Sequence, residues 1–217
     1  MSIQVLLADD HRVLRLGMRA LLSTDPTMEI VGEAANGREA VESARELSPD
    51  VILMDITMPD LNGALATRQI LAEQPGIKVV ALSMHSDGKY VSEMLSAGAS
   101  AYLLKSCDVK ELIHAINLVC DGQKYLTPEI TNHVIKDYMR GVYESCPGGT
   151  PELSQRQQEV LQLLSEGLAS KEIAARLHIS VKTVTTHRQD IMSKLNIRSV
   201  AELTKYAIRA GLTSLES

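Results

Sequence analysis

The chain has 217 residues, of which 45% are hydrophobic and 23% charged, and it carries a formal net charge of −5 at pH 7. Such a composition is typical of a globular protein with one large or two modest domains. No apolar run approaches the roughly 18 residues that span a membrane, and the first residues lack the pattern of a signal peptide. The cysteines, Cys107, Cys120 and Cys146, share no metal-binding spacing, which predicts reduced thiols in a cytoplasmic protein.

The charge is distributed unevenly along the chain. Residues 1–150 contain 13 Lys and Arg against 20 Asp and Glu, a net of −7, whereas residues 151–217 contain 9 against 7, a net of +2. Basic surfaces bind the phosphates of nucleic acids. The asymmetry therefore predicts that the C-terminal part alone contacts nucleic acid.

The first half of the chain alternates short apolar runs with segments of helical periodicity. Strand–helix alternation repeated five times predicts an α/β fold, a doubly wound five-stranded parallel sheet. Strands that are apolar throughout indicate a sheet covered on both faces. The predicted strands are Ile3–Ala8, Ile30–Ala34, Val51–Met54, Val79–Ser83 and Ala101–Leu104, with helices near 12–23, 37–47, 62–74, 87–97 and after Asp108.

The pattern changes after about Gly122. Thr127 as N-cap and Pro128 at the first helical position predict a helix that continues to about Tyr143. Residues 145–151, rich in Gly and Pro, predict a flexible tether, and the remainder is predicted to be helical. The chain is therefore expected to divide into a first domain at 1–122, a linker with one helix at 123–152, and a small all-α domain at 153–217.

Polar side chains are predicted at the carboxyl ends of the strands, where the reactive crevice of such a sheet lies. Asp9 and Asp10 follow the first strand, Asp55 the third, Ser83 ends the fourth and Lys105 follows the fifth. Crowded carboxylates repel one another unless a cation neutralises them, and oxygen ligands suit Mg²⁺. One such aspartate alone could merely solvate a turn. All five positions in strand register predict a site for phosphoryl transfer to a carboxylate.

On these residues the first domain resembles the receiver domain of two-component response regulators, over about residues 3–122. The segments 55–63 (DITMPDLNG) and 101–105 (AYLLK) match that family. The resemblance implies that Asp55 accepts phosphate from the phosphohistidine of a sensor histidine kinase. It also implies that Lys105 contacts the phosphoryl oxygens. The implied ligands of Mg²⁺ are Asp10, Asp55 and the backbone carbonyl of Thr57, with Asp9 acting mainly through water.

The same resemblance assigns a switch pair, Ser83 and Tyr102. In such a pair the hydroxyl moves toward the phosphate and the ring turns inward to fill the vacated space. Thr57 and His85 lie two residues after Asp55 and Ser83, respectively, over the path of an attacking water. We expect both to tune the rate of dephosphorylation, although His85 could equally be a solvated loop residue.

Two capped helices joined by a tight turn are predicted in the C-terminal domain. The first covers 170–177, His178 and Ile179 form the turn, and Ser180 caps a second helix to about Leu195. At about 100° per residue, one face of the second helix is apolar and the opposite face carries short polar side chains: Lys182, Thr185, Thr186, Gln189 and Ser193. An ordinary solvated face is the alternative. The helix–turn–helix arrangement favours a helix in a DNA major groove, where Gln pairs with adenine and Thr contacts a thymine methyl or a phosphate.

Residues 153–212 resemble the LuxR-type helix-turn-helix domain of the NarL/FixJ group of response regulators. The matching segments are 153–161 (LSQRQQEVL), 167–174 (GLASKEIA) and 180–184 (SVKTV), with His187 and Arg188. The resemblance implies base contacts at Thr185, Thr186 and Gln189. It implies phosphate contacts at Lys182, His187, Arg188 and Lys194.

Three positions depart from the LuxR-type pattern. Thr185 stands where Lys or Arg is common, Asp190 where Asn is common, and Gln155 where Pro is common. The first two lower the positive potential, which predicts weaker binding by a monomer and more reliance on dimerisation. A last helix, capped by Ser199, carries a stripe that either completes the small core or meets a second subunit: Val200, Leu203 and Ala207.

These features predict a DNA-binding transcriptional regulator rather than an enzyme. Phosphorylation of Asp55 is expected to promote a homodimer through the fourth helix, fifth strand and fifth helix, or a neighbouring surface. The recognition helix would then be free for double-stranded promoter DNA. A phosphatase of the haloacid dehalogenase type needs a second Asp where Thr57 stands. A receptor for acyl-homoserine lactones needs an aromatic pocket, but the chain has no Trp or Phe, so no small-molecule ligand or substrate is expected. The lack of a long apolar run likewise predicts no membrane partner. A receiver that only recruits a protein, without phosphate, stays open.

Overall fold

The computed structural model describes residues 2–84, 88–132, 134–135 and 153–213, without the side chain of Lys89. The chain divides into two compact units, Met1–Glu144 and Ser145–Ser217, and each is described by itself. Within the described ranges, every helix is too short or too polar to cross a membrane.

The first unit is built on a parallel sheet with the strand order β2-β1-β3-β4-β5-β6. Every neighbouring pair in the sheet runs parallel, which confirms the predicted α/β class. The sheet has six strands where five were predicted, because Tyr125 and Leu126 add a short sixth strand beside β5. The strands are β1 (Ile3–Ala8), β2 (Met28–Ala34), β3 (Val51–Asp55), β4 (Lys78–Ser83), β5 (Ala101–Leu104) and β6 (Tyr125–Leu126).

Helices cover both faces of this sheet, as the continuously apolar strands predict. Met18 and Ile116 pack on one face within one buried cluster, and Leu65 and Met94 pack on the other within a second cluster. Asn36, Asn62 and Asp108 cap three of the helices by accepting from the N–H three residues on. The helices are α1 (Arg12–Leu22), α2 (Gly37–Leu47), α3 (Gly63–Glu73), α4 (Gly88–Ser96) and α5 (Val109–Cys120).

The residues after α5 return to the sheet. In β6, Leu126 pairs with Tyr102 of β5. The residues 128–132 and 134–135 are helical, and Ile130 is completely buried in the same cluster as Tyr102. The carbonyl of Thr127 accepts from Thr131 N–H, as expected at this helix start, whereas the buried Thr127 hydroxyl has no hydrogen-bond partner among the described residues. The predicted helix end at Tyr143 lies outside the described residues.

The second unit contains four described helices around a small core. Ser154, Ser180 and Ser199 each accept from the N–H three residues on, which explains where three of the helices begin. Leu203 and Ala207 are fully buried, so this part of the last helix completes the core, whereas Val200 is exposed. The helices are α6 (Gln155–Ser165), α7 (Ser170–Arg176), α8 (Val181–Leu195) and α9 (Val200–Arg209).

Candidate functional site

The carboxyl edge of the sheet gathers the predicted charged residues. The Nζ atom of Lys105 lies 2.7 Å from Oδ2 of Asp9 and 2.7 Å from Oδ2 of Asp55. Asp9 and Asp55 are 1% and 2% exposed, so one ammonium is held between two buried carboxylates. These three residues lie close together because they follow or end β1, β3 and β5, and parallel strands have their carboxyl ends at the same edge of the sheet.

Backbone groups orient both carboxylates. Asp9 Oδ1 accepts from His11 N–H at 2.8 Å, and Asp55 Oδ1 accepts from Ile56 N–H at 2.7 Å. The second oxygen of each residue is thereby turned toward Lys105. The backbone hydrogen bonds thus fix one oxygen of Asp9 and one of Asp55 on either side of the Lys105 ammonium.

Burial and charge act against each other at this site. Burial raises the pKa of Asp55, Lys105 lowers it and Asp9 raises it again, and the result is a pKa of about 6. Burial lowers the pKa of Lys105, but the negative charges of Asp55 and Asp9 outweigh burial and leave that pKa above its usual value. Lys105 is therefore charged at neutral pH, while Asp55 ionises at a higher pH than an exposed aspartate does.

The donor atoms fit a divalent cation. Ligand atoms of Asp9, Asp10, His11 and Asp55 all lie within 4.8 Å of one another. Lys105 pairs with Asp9 Oδ2 and Asp55 Oδ2, and His11 pairs with Asp10 Oδ1, so cationic or ring nitrogens already face these three carboxylate oxygens. Clustered carboxylate oxygens are the ligands that Mg²⁺ takes in proteins. The acidic pocket is therefore compatible with Mg²⁺.

Two residues at this edge were missed by the sequence analysis. His11 Nδ1 lies 2.8 Å from Asp10 Oδ1, and His11 is 69% exposed in its side chain. Arg15 donates to the backbone carbonyl of Asp9 and to Glu33, which ties α1 to the end of β1 and to β2. His11 could have been predicted at this site, because it directly follows Asp9 and Asp10 in the sequence. The contacts of Arg15 depend on packing between elements, which the chain spacing does not reveal.

The loop after β3 is held close to the phosphoacceptor candidate. A Cβ on Gly63 would lie 2.0 Å from the carbonyl oxygen of Asp55, so any side chain there would displace the loop. Gly63 N–H also donates to Ile56 O at 2.9 Å. Thr57, in the same loop, is half-buried. Its carbonyl as a metal ligand, and its effect on dephosphorylation, stay predictions.

The predicted switch residues are both inside the unit. Ser83 ends β4, is 1% exposed, and its carbonyl accepts from Lys105 N–H at 2.8 Å. Tyr102 is 0% exposed and packs in the cluster that contains Met94 of α4 and Ile130. The ring therefore occupies the inward position. His85, the other predicted tuning residue, lies outside the described residues.

The predicted DNA-contacting side chains all lie on α8, but they differ in exposure. Val184 and Ile191 are buried in the core of the unit. His187 and Arg188 are half-buried, which agrees with their position beside the apolar face. The remaining predicted contacts are exposed: Lys182, Thr185, Thr186, Gln189 and Lys194.

Contacts between helices fix this surface in ways that the sequence analysis missed. Lys194 Nζ donates to Gln157 Oε1 at 2.9 Å, so the end of α8 is joined to the start of α6. Arg156 bonds to Glu159 and to the carbonyl of Leu177, which directly precedes the turn before α8. Lys194 and Gln157 are 37 positions apart in the chain, and Arg156 and Leu177 are 21 apart. Neither bond is therefore evident from local sequence spacing. Lys194 has further N–H groups for a phosphate, and its DNA contact stays a prediction.

Both units match known protein families. The family model of the response regulator receiver domain matches residues 5–117, and that of bacterial regulatory proteins of the luxR family matches residues 151–207. The transcriptional regulatory protein DegU of Brevibacillus brevis is 39% identical over 97% of this chain and 94% of its own length. The response regulator protein VraR of Staphylococcus aureus is 38% identical over 98% of this chain and 99% of its own. A solved structure of the Salmonella typhimurium RcsB response regulator, concerned with conformational dynamism for DNA interaction, covers 94% of this chain and 97% of that chain, at 25% identity with a TM-score of 0.59.

Proposed function

Because this chain belongs to the response regulators that join a receiver domain to a LuxR-type DNA-binding domain, we propose that phosphorylation of Asp55 controls its binding to promoter DNA. The protein is a DNA-binding transcriptional regulator and not an enzyme. The observation that carries the proposal is the ammonium of Lys105 at 2.7 Å from both Asp9 and Asp55. That arrangement supplies a carboxylate nucleophile beside a fixed positive charge.

The proposed reaction is a transfer of one phosphoryl group from a phosphohistidine of a sensor histidine kinase. An oxygen of Asp55 attacks phosphorus, the nitrogen–phosphorus bond breaks, and the bonding electrons return to the imidazole. Asp10, Asp55 and the Thr57 carbonyl would hold Mg²⁺, with Asp9 acting through water, and the bound ion would supply charge for the phosphoryl oxygens. Lys105 stabilises the same oxygens from the side of β5.

Phosphate on Asp55 shifts the protein toward an active state only if that state binds the phosphoryl group better. Ser83 and Lys105 provide this preference through a hydroxyl and an ammonium at the ends of β4 and β5. Tyr102 connects them to the rest of the protein, because its strand neighbour is Leu126 and its cluster includes Ile130. A change at the pocket would therefore reach the residues that lead to the DNA-binding unit.

The homodimer is proposed to form on the surface of α1. Part of the surface first predicted, at α4 and β5, is covered by the chain itself, since β6 pairs with β5 and Ile130 belongs to the same buried cluster as Met94 of α4. Exposed apolar residues lie instead on α1 and just after β4: Val13, Leu16, Leu21 and Met84. A second copy is the occupant that suits a helix-turn-helix protein, because two recognition helices read half-sites about one DNA turn apart. Such a regulator works in the cytoplasm, where its promoters are.

Intact mass tests the phosphoacceptor. The full chain is incubated with acetyl phosphate and Mg²⁺, and the account predicts one added phosphate that chelation of the metal prevents. Asp55→Asn should take up none, and the exposed Asp121→Asn should behave as wild type. Labelling of Asp55→Asn at the wild-type level would refute the assignment. No adduct on the wild type would favour a receiver that only recruits a protein.

A further inference from the structure

The hydroxyl groups of two threonines on the exposed face of α8 are already engaged inside the helix. Thr185 Oγ1 donates to Val181 O at 3.0 Å, and Thr186 Oγ1 donates to Lys182 O at 3.1 Å. A carbonyl oxygen only accepts, so the proton of each hydroxyl must lie in this bond. Each threonine therefore offers a DNA ligand only its methyl group and the remaining lone pairs of its oxygen.

The four bases differ in how they meet such a surface. In the major groove thymine presents a methyl group, and adenine and cytosine present amino donors. Guanine presents only the acceptors N7 and O6 there, which need a donor from the protein. Neither Thr185 nor Thr186 can donate while its proton is held by the helix. A guanine facing them would lose the hydrogen bonds that it makes with water.

The exposed neighbour Gln189 also favours an A·T base pair. Gln189 is four residues after Thr185, so the two side chains lie one above the other on the helix surface. A glutamine amide pairs in a bidentate manner with N6 and N7 of adenine. An adenine and the thymine methyl of the same or the next base pair would therefore be contacted together.

We propose that Thr185 and Thr186 make the DNA-binding unit selective for A·T base pairs where they face the bases, through contacts between their methyl groups and those of thymine. The proposal rests on the proposed function, in which α8 lies in the major groove. Lys182, one turn before Thr186, supplies positive charge for the DNA phosphates, and a phosphate contact does not distinguish one base from another.

The test uses the full chain and a duplex obtained by selection from a random library in the presence of acetyl phosphate and Mg²⁺. Each thymine of the selected half-site is then replaced singly by uracil, which lacks only the methyl group. Loss of one buried methyl contact should weaken binding by about fourfold at one or two positions. These measurements need no protein variant, so a folding defect cannot imitate the result.

Two paired variants assign the effect to the threonines. The double variant Thr185→Ser, Thr186→Ser keeps the hydroxyls and lacks the methyls, so it should bind the thymine and uracil duplexes equally. The double variant Thr185→Val, Thr186→Val keeps a methyl at both positions and should retain the fourfold preference. Thr204→Val is the matched control, since Thr204 makes the same bond to Val200 O at 3.1 Å in α9. It should discriminate as wild type does.

The outcomes separate the inference from the function on which it rests. If a specific duplex is selected but no thymine-to-uracil change weakens binding, the inference is wrong and the proposed function stands. If the selected half-sites show no preference for A·T pairs at any position, the inference is also wrong. Failure to select any duplex would overturn the proposed function and the inference together.

Discussion

Lys105 Nζ lies 2.7 Å from Oδ2 of Asp55, and the side chain of each residue is at most 5% exposed. The attraction between them does not fully compensate for burial and the nearby Asp9, because the pKa of Asp55 is still raised to about 6. The negative charge of Asp55 is therefore costly in the resting protein. A divalent cation or a phosphoryl group that engages this carboxylate relieves the cost.

Asp55→Asn should stabilise the receiver in the absence of Mg²⁺. An unfolded chain releases the Asp55 proton near pH 3.8, whereas the folded chain holds it to about pH 6. The folded state binds more protons between these values, so stability falls as pH rises from about 4 to 6 and stays lower above. At pH 7 the free energy of unfolding should be higher in the variant by about 3 kcal/mol, and by about half of that at pH 5. Calorimetry of the receiver transition measures the free energy of unfolding at both pH values. A variant that is no more stable than wild type at pH 7 would contradict the raised pKa of Asp55.

Lys105→Gln should have the opposite effect. Removing one partner of a buried ion pair costs about 3–5 kcal/mol, since Asp9 and Asp55 lose their ammonium. Mg²⁺ should restore more stability to this variant than it adds to wild type, because the ion replaces the missing positive charge. Thermal unfolding with and without Mg²⁺ is the measurement, with Lys110→Gln on the exposed surface of α5 as control. Equal stabilisation of Lys105→Gln and wild type by Mg²⁺ would speak against a shared cation site.

Ile130→Ala should loosen the packing of β6 and the residues after it on the first unit. Ile130 is fully buried, whereas Ile135 is 54% exposed on the same stretch. Truncation of a buried Ile costs about 2–5 kcal/mol, and we expect residues 125–135 to lose their protection against hydrogen exchange. DNA affinity should then depend less on the phosphoryl donor. Ile135→Ala should match wild type in both measurements, and the same response from both variants would show that the burial of Ile130 does not matter.

Lys182→Ala should weaken binding to all duplexes by a similar factor. A phosphate contact contributes about 0.9 to the slope of log affinity against log salt concentration, so the slope should fall by roughly that amount. Lys205, exposed on α9, provides the control variant Lys205→Ala. Titrations of labelled DNA at several salt concentrations measure the slope. An unchanged slope for Lys182→Ala would remove this residue from the phosphate contacts.

The fold and the acidic pocket were predictable because strand register fixes both. Once β1, β3 and β5 are parallel, Asp9, Asp55 and Lys105 must end at the same edge, whatever the loops do. The buried face of α8 was predictable for a similar reason, since helical spacing alone places Val184 with Ile191. Strand register and helical periodicity are therefore sufficient to predict these features.

Features that depend on packing between distant segments were not predictable in the same way. The sixth strand has two residues, Tyr125 and Leu126, and is defined by its pairing with β5 rather than by a pattern of its own. The bond from Lys194 to Gln157 joins two helices across the core of the second unit. The donation of the Thr185 hydroxyl to Val181 is local, but the sequence does not choose between this rotamer and one that turns the hydroxyl outward.

The most direct test of the account is footprinting of the selected duplex by the full chain, with and without acetyl phosphate and Mg²⁺. Wild type should protect the duplex at a lower protein concentration when the donor is present, over two sites about one DNA turn apart. Asp55→Asn should show the same protection in both conditions. Equal protection by wild type with and without the donor, under conditions where intact mass shows the phosphate on the protein, would contradict the coupling between Asp55 and DNA binding.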